Sequence, residues 1–411
     1  MQFGLIGEKL GHSYSKEIHN LIADYGYELR EVKREELGAF MTERAFSGIN
    51  VTIPYKKSVM DYLDVISDAA KKIGAVNTVV NRDGKLYGYN TDFYGLKALL
   101  IHNGVSVRNK KVLILGSGGT SDTAYNVVTG LNAKEAIKVS RTKKDGFVTY
   151  DEAARLHSDA DVIINATPVG MYPDDDGVPV NIGLFPSLSA VIDAIYHPLR
   201  TNLVSDAENR GIKACGGLYM LVAQAVYAAA LFENKKPDEN LIDDVYWKIL
   251  NDKRNIVLIG MPSSGKTTIG KALAARIGKR FADTDELIVG TTGKSIPEIF
   301  EKEGEKVFRE IEKKVICDIA VNDGTVIATG GGVILDEKNV LALKRNGVIV
   351  YLDRKIDNLI ATDSRPLSSN VDDLKKLYAK RKPLYEKYAE ITIDDNDDVA
   401  TVVRRAEEAL K

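Results

Sequence analysis

The segment NIVLIGMPSSGKTTIGKALAARIG, residues 255–278, contains the pattern that decides the fold of its part of the chain. An apolar run leads into a glycine-rich turn of the form G-x-x-x-x-G-K-T at residues 260–267, and a helical pattern follows. In this context the glycines let backbone N–H groups face phosphate oxygens, and the positive end of the helix dipole lies beside them. The segment therefore predicts a site for the phosphates of a nucleotide.

Short runs rich in Val and Ile recur along the chain, separated by segments long enough for crossover helices. Several of these runs are apolar without alternation, which is typical of strands covered on both faces of a parallel sheet. The runs lie at residues 3–7, 48–54, 111–117, 136–141, 161–167, 190–195, 255–260, 325–332 and 348–352. Their alternation with helical segments predicts an α/β fold.

A change of pattern divides the chain into two units. The segment 233–255 begins with charges around Pro237 and continues with the apolar spacing of a closing helix. NDKR (251–254) is interpreted as a short junction before a new strand. We predict one unit over residues 1–250 and a second over residues 251–411.

The composition excludes several classes of protein. A chain of 411 residues is long enough for two or three domains. Its 56 basic and 58 acidic residues give a formal charge of −2, so neither nucleic acid nor a membrane surface is expected as a partner. Cys215 and Cys317, the only cysteines, exclude a disulfide framework and a Cys-rich zinc site. Because the first residues lack a signal-peptide pattern and no apolar run spans a bilayer, we expect a cytoplasmic protein.

Residues in the glycine-rich turn have the chemistry of phosphoryl transfer. Lys266 is predicted to reach the β- and γ-phosphates of the nucleotide, and the Thr267 hydroxyl is predicted to bind Mg²⁺. The remaining phosphate contacts are assigned to Gly260, Gly265 and Thr268.

Two acidic residues, Asp283 and Asp285, follow a short apolar stretch at the predicted tip of the next strand. Because alternate strand residues point the same way, both carboxylates are expected to face the phosphates, one at the metal and the other at a substrate hydroxyl. The glycines at 330–332 follow another predicted strand, where α/β sheets place ligand crevices. A small anionic substrate would need one or two of three separate arginines as carboxylate clamps: Arg309, Arg365 and Arg381.

Together these features resemble shikimate kinases over residues 255–411. The matching motifs are GMPSSGKTTIGKALA, FADTDELI, GKSIPEIFEKEGEKVFREIE, TVIATGGGVIL, RPL and KRKPLYEKYA. The resemblance implies that ATP is the phosphoryl donor and that Asp285 contacts the hydroxyl being phosphorylated, which leaves Asp283 for the metal. It places Arg365 on a mobile lid that reaches the transferring phosphate. The implied substrate-binding residues are Arg309, Gly331, Gly332 and Arg381.

The predicted lid departs from the family pattern. Shikimate kinases usually carry a further Arg several residues before RPL, where it packs on the adenine. Nothing basic lies between Lys355 and Arg365 in this chain. Because such a contact contributes about 0.5–2 kcal/mol, we expect weak ATP binding and loose discrimination among purine triphosphates.

A second turn, in KVLILGSGGTSDTA at residues 111–124, has the pattern of a dinucleotide-binding site. It contains Gly116, Gly118 and Gly119, but Ser121 stands where G-x-G-x-x-G has its third glycine.

The next predicted strand ends in Ser140, Arg141 and Thr142. Folds that prefer NAD place an acidic residue near this tip to bind the ribose 2′-hydroxyl. Arg141, with Lys143 and Lys144 beside it, instead favours a 2′-phosphate and hence NADP.

A group of polar residues lies at predicted strand ends near the start of the chain. The group consists of Ser13, Ser15, Asn50, Thr52, Lys56, Asn77 and Asp92. Hydroxyl, amide and charged groups in this number suit a small polyhydroxylated acid. A carbonyl that accepts hydride needs a proton donor, which Lys56 held by the Asp92 carboxylate can supply. The alternative for such a pair, and the commoner one, is a surface ion pair.

These motifs resemble shikimate dehydrogenases across residues 1–250, through SYSKEIHN, GINVTIPYK, GAVNT, NTDFYG, GSGGTSDTA, SRT, NATPVGM, DAIYHPLRT and GLYMLVAQA. The resemblance implies that Lys56 and Asp92 form the catalytic pair. The other implied substrate contacts are Ser13, Ser15, Thr52, Asn77, Tyr196 and Gln224. The implied NADP contacts are Gly116, Gly118, Gly119, Arg141 and Thr142, with Thr167, Met171 and Gly217 near the nicotinamide.

Three further residues are compared with the family pattern. Asp122 stands in the phosphate turn where many relatives have Arg or Lys, which leaves the cofactor affinity of this turn open. His12 and His19 match the pattern, and we expect both to be structural.

The two resemblances predict a bifunctional enzyme of the shikimate pathway of aromatic amino-acid biosynthesis. The first unit would reduce 3-dehydroshikimate to shikimate with NADPH, and the second would phosphorylate the 3-hydroxyl of shikimate with ATP. The first unit is divided into a substrate part (1–97 and 218–250) and an NADP part (98–217). Two alternatives stay open: a preference for quinate, and a nucleotide-sensing regulator, against which the retention of both catalytic sets argues. Association into a homo-oligomer is also left open.

Overall fold

The computed structural model describes residues 1–11, 13–359 and 371–410. The chain forms two compact units, Met1–Leu250 and Asn251–Lys411. Strands and helices alternate along both units, as the predicted α/β class requires. Within the described ranges, no helix is long and apolar enough to cross a membrane.

The first unit begins with a six-stranded sheet. Its strands are β1 (Phe3–Gly7), β2 (Tyr27–Glu31), β3 (Gly48–Val51), β4 (Val65–Ile66), β5 (Thr78–Arg82) and β6 (Lys85–Tyr89). They lie in the order β2-β1-β3-β5-β6-β4. β5 pairs antiparallel with both β3 and β6, so this sheet is mixed and not parallel as the apolar runs indicate. The reason is the two-residue turn at Asp83 and Gly84, with φ of 51° and 80°, which reverses the chain between β5 and β6.

The second sheet of this unit is parallel throughout. Its strands are β7 (Lys111–Leu115), β8 (Glu135–Ser140), β9 (Phe147–Thr149), β10 (Val162–Asn165), β11 (Ala190–Asp193) and β12 (Lys213–Cys215). The order β12-β11-β10-β7-β8-β9 is that of a doubly wound dinucleotide-binding fold. The strand order reverses between the neighbours β7 and β10, since β8 and β9 lie on one side of this point and β11 and β12 on the other. Ligands of such sheets bind outside the carboxyl ends of the strands at this point.

Nine helices accompany these two sheets in the described residues. They are α1 (Ser15–Ile22), α2 (Leu37–Glu43), α3 (Asp68–Ile73), α4 (Asp92–His102), α5 (Gly119–Gly130), α6 (Tyr150–Leu156), α7 (Asn202–Asn209), α8 (Leu218–Phe232) and α9 (Asn240–Lys253). Apolar side chains of α4, α5, α8 and α9 pack with those of β7 in one core. This shared core joins the substrate part to the NADP part.

Two predicted boundaries fall inside helices. The division at residues 97 and 98 lies within α4, because Leu96, Leu99 and Leu100 are buried in the same core and keep the helix continuous. Residues 251–253, predicted as a junction, form the last turn of α9.

The second unit has a five-stranded parallel sheet in the order β14-β15-β13-β16-β17. The strands are β13 (Asn255–Ile259), β14 (Arg280–Asp283), β15 (Thr325–Ala328), β16 (Gly347–Asp353) and β17 (Ile391–Asp394). The helices are α10 (Lys266–Ile277), α11 (Thr284–Thr292), α12 (Ile296–Lys302), α13 (Gly304–Ala320), α14 (Glu337–Asn346), α15 (Val371–Tyr388) and α16 (Val399–Ala409). β13 is central, so the glycine-rich turn after it lies in the middle of the carboxyl edge of the sheet.

Candidate active sites

Lys56 and Asp92 lie together in the first unit. Lys56 is in the loop after β3, and Asp92 is the first residue of α4. The Lys56 Nζ atom lies 2.6 Å from Asp92 Oδ2, and the two side chains are only 16% and 9% exposed. This pair is therefore not the exposed surface ion pair that is the commoner alternative.

The backbone that carries Asp92 is fixed by a buried polar network. Asn77 Oδ1 accepts a hydrogen bond from the Thr91 backbone N–H at 2.7 Å, and Asn77 Nδ2 donates to Thr91 Oγ1 at 3.0 Å. The Thr91 hydroxyl also donates to Gln224 Oε1 on α8 at 3.4 Å. Asn77 and Gln224, both predicted to bind substrate, thus hydrogen-bond Thr91, the residue that precedes Asp92.

Three more of the predicted substrate-binding residues form a hydroxyl cluster. Ser13 Oγ donates to Ser15 Oγ at 3.1 Å. The Ser13 side chain also hydrogen-bonds the Tyr196 phenol, whose pKa is raised by burial. Thr52 is half-buried and follows β3 directly.

Two polar residues belong to the interior of the first sheet. His19 is fully buried, its ring stacks on Tyr27 with centroids 3.9 Å apart, and burial lowers its pKa to about 3. It is neutral and structural, as expected, whereas His12 lies outside the described residues. Asn50 accepts from the Tyr27 hydroxyl at 2.7 Å and donates to Thr78 Oγ1 at 3.1 Å. The expectation of a substrate-facing Asn50 is wrong, because these bonds inside the sheet occupy its amide.

The dinucleotide turn joins β7 to α5. Gly116 has a φ of 118°, and a Cβ there would lie 2.9 Å from the Ala166 carbonyl oxygen, so glycine is required. Gly118 is the N-cap of α5, and no atom in the described part of the chain lies within 4 Å of a Cβ built on it. Ser121 is fully buried and its hydroxyl donates to the Gly116 carbonyl at 2.7 Å. The hydroxyl at the third-glycine position therefore hydrogen-bonds the turn and does not obstruct it.

The dinucleotide turn lies against the loop of the proposed proton donor. A Cβ built on Gly119, the first residue of α5, would lie 3.4 Å from the Lys56 Cβ. The structure thus brings the two predicted halves of a hydride-transfer site together.

Of the three residues predicted near the nicotinamide, Thr167 and Met171 follow the carboxyl end of β10, and Gly217 follows that of β12. The Thr167 hydroxyl donates to Asn165 Oδ1 at 2.7 Å, and the Met171 side chain is exposed. Gly217 is the N-cap of α8, where a Cβ would lie 2.2 Å from the Ala194 carbonyl oxygen. Only glycine fits at this position, since the obstructing atom belongs to the backbone.

The basic segment after β8 divides into residues with different surroundings. Arg141 and Thr142 are both exposed. Lys143 pairs with a glutamate of α6 at 2.7 Å, whereas Lys144 Nζ donates to Ser117 Oγ in the dinucleotide turn at 3.1 Å. Lys144 therefore lies closer to the turn than its neighbour in the sequence.

In the second unit, the glycine-rich turn folds around its own lysine. Lys266, the first residue of α10, is 8% exposed and donates to the carbonyls of Gly260 at 2.9 Å and Met261 at 2.7 Å. Gly265 is the N-cap of this helix with a φ of 78°. Thr268 follows in the first turn, so the N-terminus of α10 carries Lys266, Thr267 and Thr268, the residues predicted to contact phosphates and metal.

Asp283 is held by two elements at the end of β14. Its Oδ2 atom accepts from the Thr267 hydroxyl at 2.6 Å, and its Oδ1 atom accepts from the Asp285 backbone N–H at 2.9 Å. Asp283 thus caps α11, and Asp285 lies in the first turn of that helix. The expectation that both residues alternate along a strand is wrong, because the capping bond ends the strand at Asp283.

A pocket of about 450 Å³ lies at this edge of the sheet. It brings together these predicted kinase residues: Gly265, Lys266, Thr267, Thr268, Asp283, Asp285, Arg309, Gly330, Gly331, Gly332 and Arg381. Ser264, which the sequence reasoning missed, also lines it. Arg365 lies outside the described residues, so its predicted lid position has no structural description.

Arg309 and Arg381 line this pocket together with Glu312, which the sequence reasoning missed. Arg309 Nη1 lies 2.8 Å from Glu312 Oε2, and burial raises the pKa of that carboxyl while Arg309 opposes the shift. Arg381 is 4% exposed, and its Nε atom has no hydrogen-bond partner among the described residues. Burial lowers the pKa of the Arg381 guanidinium. The spacing of Arg309 and Glu312, three residues apart on a helix, is the signal that predicts their contact.

No group of three or more His, Cys, Asp or Glu side chains in the described parts of the chain is arranged to hold a metal ion. The predicted metal residues, Thr267 and Asp283, provide two oxygen atoms. Mg²⁺ in nucleotide sites is commonly bound by one or two protein oxygens together with phosphates and water.

Comparisons with known proteins agree with this division of the chain. The model of the shikimate dehydrogenase substrate-binding domain matches residues 5–79, and that of shikimate kinase matches residues 262–411. The shikimate dehydrogenase (NADP⁺) of Clostridium beijerinckii is 40% identical over 261 residues, which cover 59% of this chain and 96% of that protein.

Solved structures resemble the first unit. Shikimate dehydrogenase 1 from Peptoclostridium difficile matches with 36% identity and a TM-score of 0.57, covering 61% of this chain and 98% of that one. The Thermus thermophilus shikimate 5-dehydrogenase in complex with NADP(H) and shikimate matches with 29% identity and a TM-score of 0.54, covering 60% and 99%.

These matches confirm the prediction of two enzyme domains and argue against the alternative of a nucleotide-sensing regulator. The chain belongs to the shikimate dehydrogenase family in its first unit, carries a shikimate kinase domain in its second, and is a bifunctional shikimate-pathway enzyme that uses NADP and ATP.

Proposed function

We propose that the first unit reduces 3-dehydroshikimate to shikimate with NADPH, and that the second unit phosphorylates the 3-hydroxyl of shikimate with ATP. The observation that carries the first assignment is the buried Lys56–Asp92 pair at 2.6 Å, in a loop that contacts the start of α5. The observation that carries the second is the pocket in which Arg309 and Arg381 face the glycine-rich turn.

In the reductive direction, the substrate carbonyl becomes a hydroxyl and its oxygen gains a proton. The Lys56 ammonium is the donor in this proposal, and Asp92 keeps it oriented in a largely buried position. The hydroxyls of Ser13, Ser15 and Tyr196 bind the polar groups of the substrate.

The residues of the dinucleotide turn fit NADP, which supplies the hydride when bound. The open space at Gly118 allows a close approach to the backbone, and the N-terminus of α5 favours the pyrophosphate. Arg141 and Lys144 provide cations for the 2′-phosphate, and Lys144 is the better placed of the two neighbouring lysines because it already reaches Ser117.

In the kinase unit, ATP with Mg²⁺ supplies the phosphoryl group when bound. Thr267 and Asp283 would hold the metal through oxygen atoms, and Lys266 would neutralise phosphate charge. Asp285 accepts the proton of the attacking hydroxyl. Arg381 binds the substrate carboxylate, for which its buried Nε–H group, without a partner among the residues that the structure describes, is a suitable donor.

A coupled assay on the full chain tests both proposals. With 3-dehydroshikimate, NADPH and MgATP, we expect oxidation of NADPH and formation of shikimate 3-phosphate. Reduction of 3-dehydroquinate in preference to 3-dehydroshikimate would instead establish the quinate alternative. Chelation of Mg²⁺ should stop the phosphorylation and leave the reduction unchanged. If phosphorylation occurred at another hydroxyl, the kinase assignment would be wrong.

A further inference from the structure

Asp122 places a negative charge in the first turn of α5, the helix end where the cofactor pyrophosphate is proposed to bind. A carboxylate there interacts favourably with the helix dipole but repels an anionic ligand at the same terminus. Because Asp122 would weaken binding of the cofactor pyrophosphate, we expect its carboxylate to have another role in the first unit.

The contacts of Asp122 indicate what this role is. Its Oδ2 atom lies 2.7 Å from Lys57 Nζ, and its Oδ1 atom lies 3.3 Å from Lys138 Nζ. Lys138 belongs to β8 of the NADP part, whereas Lys57 belongs to the loop after β3 in the substrate part. One carboxylate therefore connects the two parts of the first unit. Asp122 and the two lysines together have a formal charge of about +1.

Lys57 directly follows Lys56, the proposed proton donor. Asp122 and Gly119 are three residues apart on α5 and so lie on one face of the helix. Gly119 lies beside the Lys56 stem, as a Cβ built on it would lie 3.4 Å from the Lys56 Cβ and 3.5 Å from its Cδ. Residues 56–57 thus adjoin α5 at two points: the Lys56 stem lies beside Gly119, and Lys57 forms an ion pair with Asp122.

Lys138 fixes the carboxylate from the side of the NADP part. Its ammonium lies 4.5 Å from the centre of the Phe147 ring and 5.4 Å from that of Tyr125, so it is held by aromatic faces as well as by Asp122. Because Asp122 is anchored in this way, its second oxygen presents a fixed partner to Lys57.

We infer that Asp122 is a positioning residue of the dehydrogenase, which holds the loop of Lys56 against the dinucleotide turn through Lys57. The inference rests on the proposed function, in which Lys56 donates the proton. Hydride and proton must reach the same carbonyl, so small displacements of one donor relative to the other reduce turnover. Asp122 acts through Lys57 and does not itself touch the substrate.

A double-mutant cycle on the full chain tests this coupling. We expect Lys57→Gln and Asp122→Asn each to lower kcat for 3-dehydroshikimate at saturating NADPH by about two- to fivefold, since the Lys57 side chain is 57% exposed. The double variant should be no slower than the slower single variant. Lys57→Arg keeps the ion pair and should retain kcat. High salt should slow the unmodified chain more than it slows the variants, because exposed ion pairs are screened.

Lys138→Gln is the matched control, because it removes the other lysine on the same carboxylate and leaves the pair with Lys57. It should lower kcat less than Lys57→Gln does, because the pair with Lys57 remains when the Lys138 anchor is lost, and its main effect should fall on the KM for NADPH. Kinase turnover of each variant, measured on the same chain, reports that the second unit is folded. Thermal unfolding reports whether the first unit is folded.

Three results would overturn the inference: additive losses in the double variant, an equal loss of kcat in Lys138→Gln, or a change in the KM for NADPH alone. If the unmodified chain does not reduce 3-dehydroshikimate, the proposed function fails and the inference fails with it. If the unmodified chain is active and the losses are additive, only the inference fails.

Discussion

Replacement of Gly118 by alanine separates cofactor binding from folding. Gly118 has φ of −92° and ψ of −177°, a backbone conformation that any residue adopts. A Cβ at this position meets no atom of the described residues within 4 Å. The folded chain therefore accepts the methyl group, and its stability should be unchanged or raised by about 0.4–1 kcal/mol, because alanine restricts the unfolded chain.

The same methyl group occupies the space through which the NADPH pyrophosphate is proposed to approach the backbone. Forcing an extra methyl into a close-packed contact costs about 1–3 kcal/mol. At 1.36 kcal/mol per factor of ten, the KM for NADPH should rise about 5- to 160-fold. Turnover at saturating NADPH should change little, because the methyl does not touch Lys56 or Asp92.

The assay is the initial rate of 3-dehydroshikimate reduction by the full chain as NADPH is varied, together with thermal unfolding. Gly130→Ala is the matched control, since it adds the same methyl at the other end of α5, again with no atom within 4 Å. If Gly118→Ala and Gly130→Ala have the same KM for NADPH within a factor of two, the cofactor does not approach this turn and the assignment is refuted.

Further predictions concern four other positions. Lys56→Ala should lower shikimate oxidation about 100- to 10,000-fold and leave the kinase active; near-normal turnover would contradict its role. Arg141→Ala should raise the KM for NADPH far more than that for NADH, because a charged contact of about 1.5–3 kcal/mol is lost; equal changes would show that it does not read the 2′-phosphate. Arg381→Ala should raise the shikimate KM of the kinase more than it lowers kcat, and the reverse split would argue against a carboxylate contact. The free energy of unfolding of the first unit should fall as the pH drops from about 6.5 towards 3, by at most about 1.4 kcal/mol per pH unit from His19. The unfolded imidazole binds a proton in this range, whereas the folded one, with a pKa of about 3, does not. Urea denaturation at several pH values should give a smaller slope for His19→Gln, and an unchanged slope would contradict this.

Much of the fold follows from local pattern, and the exceptions have identifiable causes. The central strands are predicted because they are continuous apolar runs. The hairpin of β5 and β6 has a local signal of its own, the Asp-Gly turn at residues 83–84, which favours antiparallel pairing over the parallel sheet that the apolar runs predict. β2 has no such signal: only Tyr27 is buried and the other four residues are exposed, so its pairing with β1 decides its structure.

The positions of the site residues are predictable from the sequence where a motif fixes the backbone. They are less predictable where tertiary packing determines the surroundings of a side chain. The glycine-rich turn placed Lys266 and Thr267 because their roles depend on positions within one loop. The burial of Arg381 depends on how α15 packs against the sheet, which no local pattern contains. The alternation pattern predicts Asp285 on a strand, whereas the capping bond of Asp283 begins α11 there, and Asp at an N-cap is a common signal for such a helix start.

The hydrogen bonds of Lys266 affect the energetics of nucleotide binding. Folding has already removed most of the water from this ammonium, and the carbonyls of Gly260 and Met261 replace part of its hydration. A triphosphate that reaches the lysine therefore exchanges carbonyl oxygens for phosphate oxygens and has little solvent to displace. The net gain from the lysine is the difference between two sets of hydrogen bonds, smaller than its full charge suggests. In return, the loop keeps a defined shape before the nucleotide arrives, so that less ordering remains to oppose association.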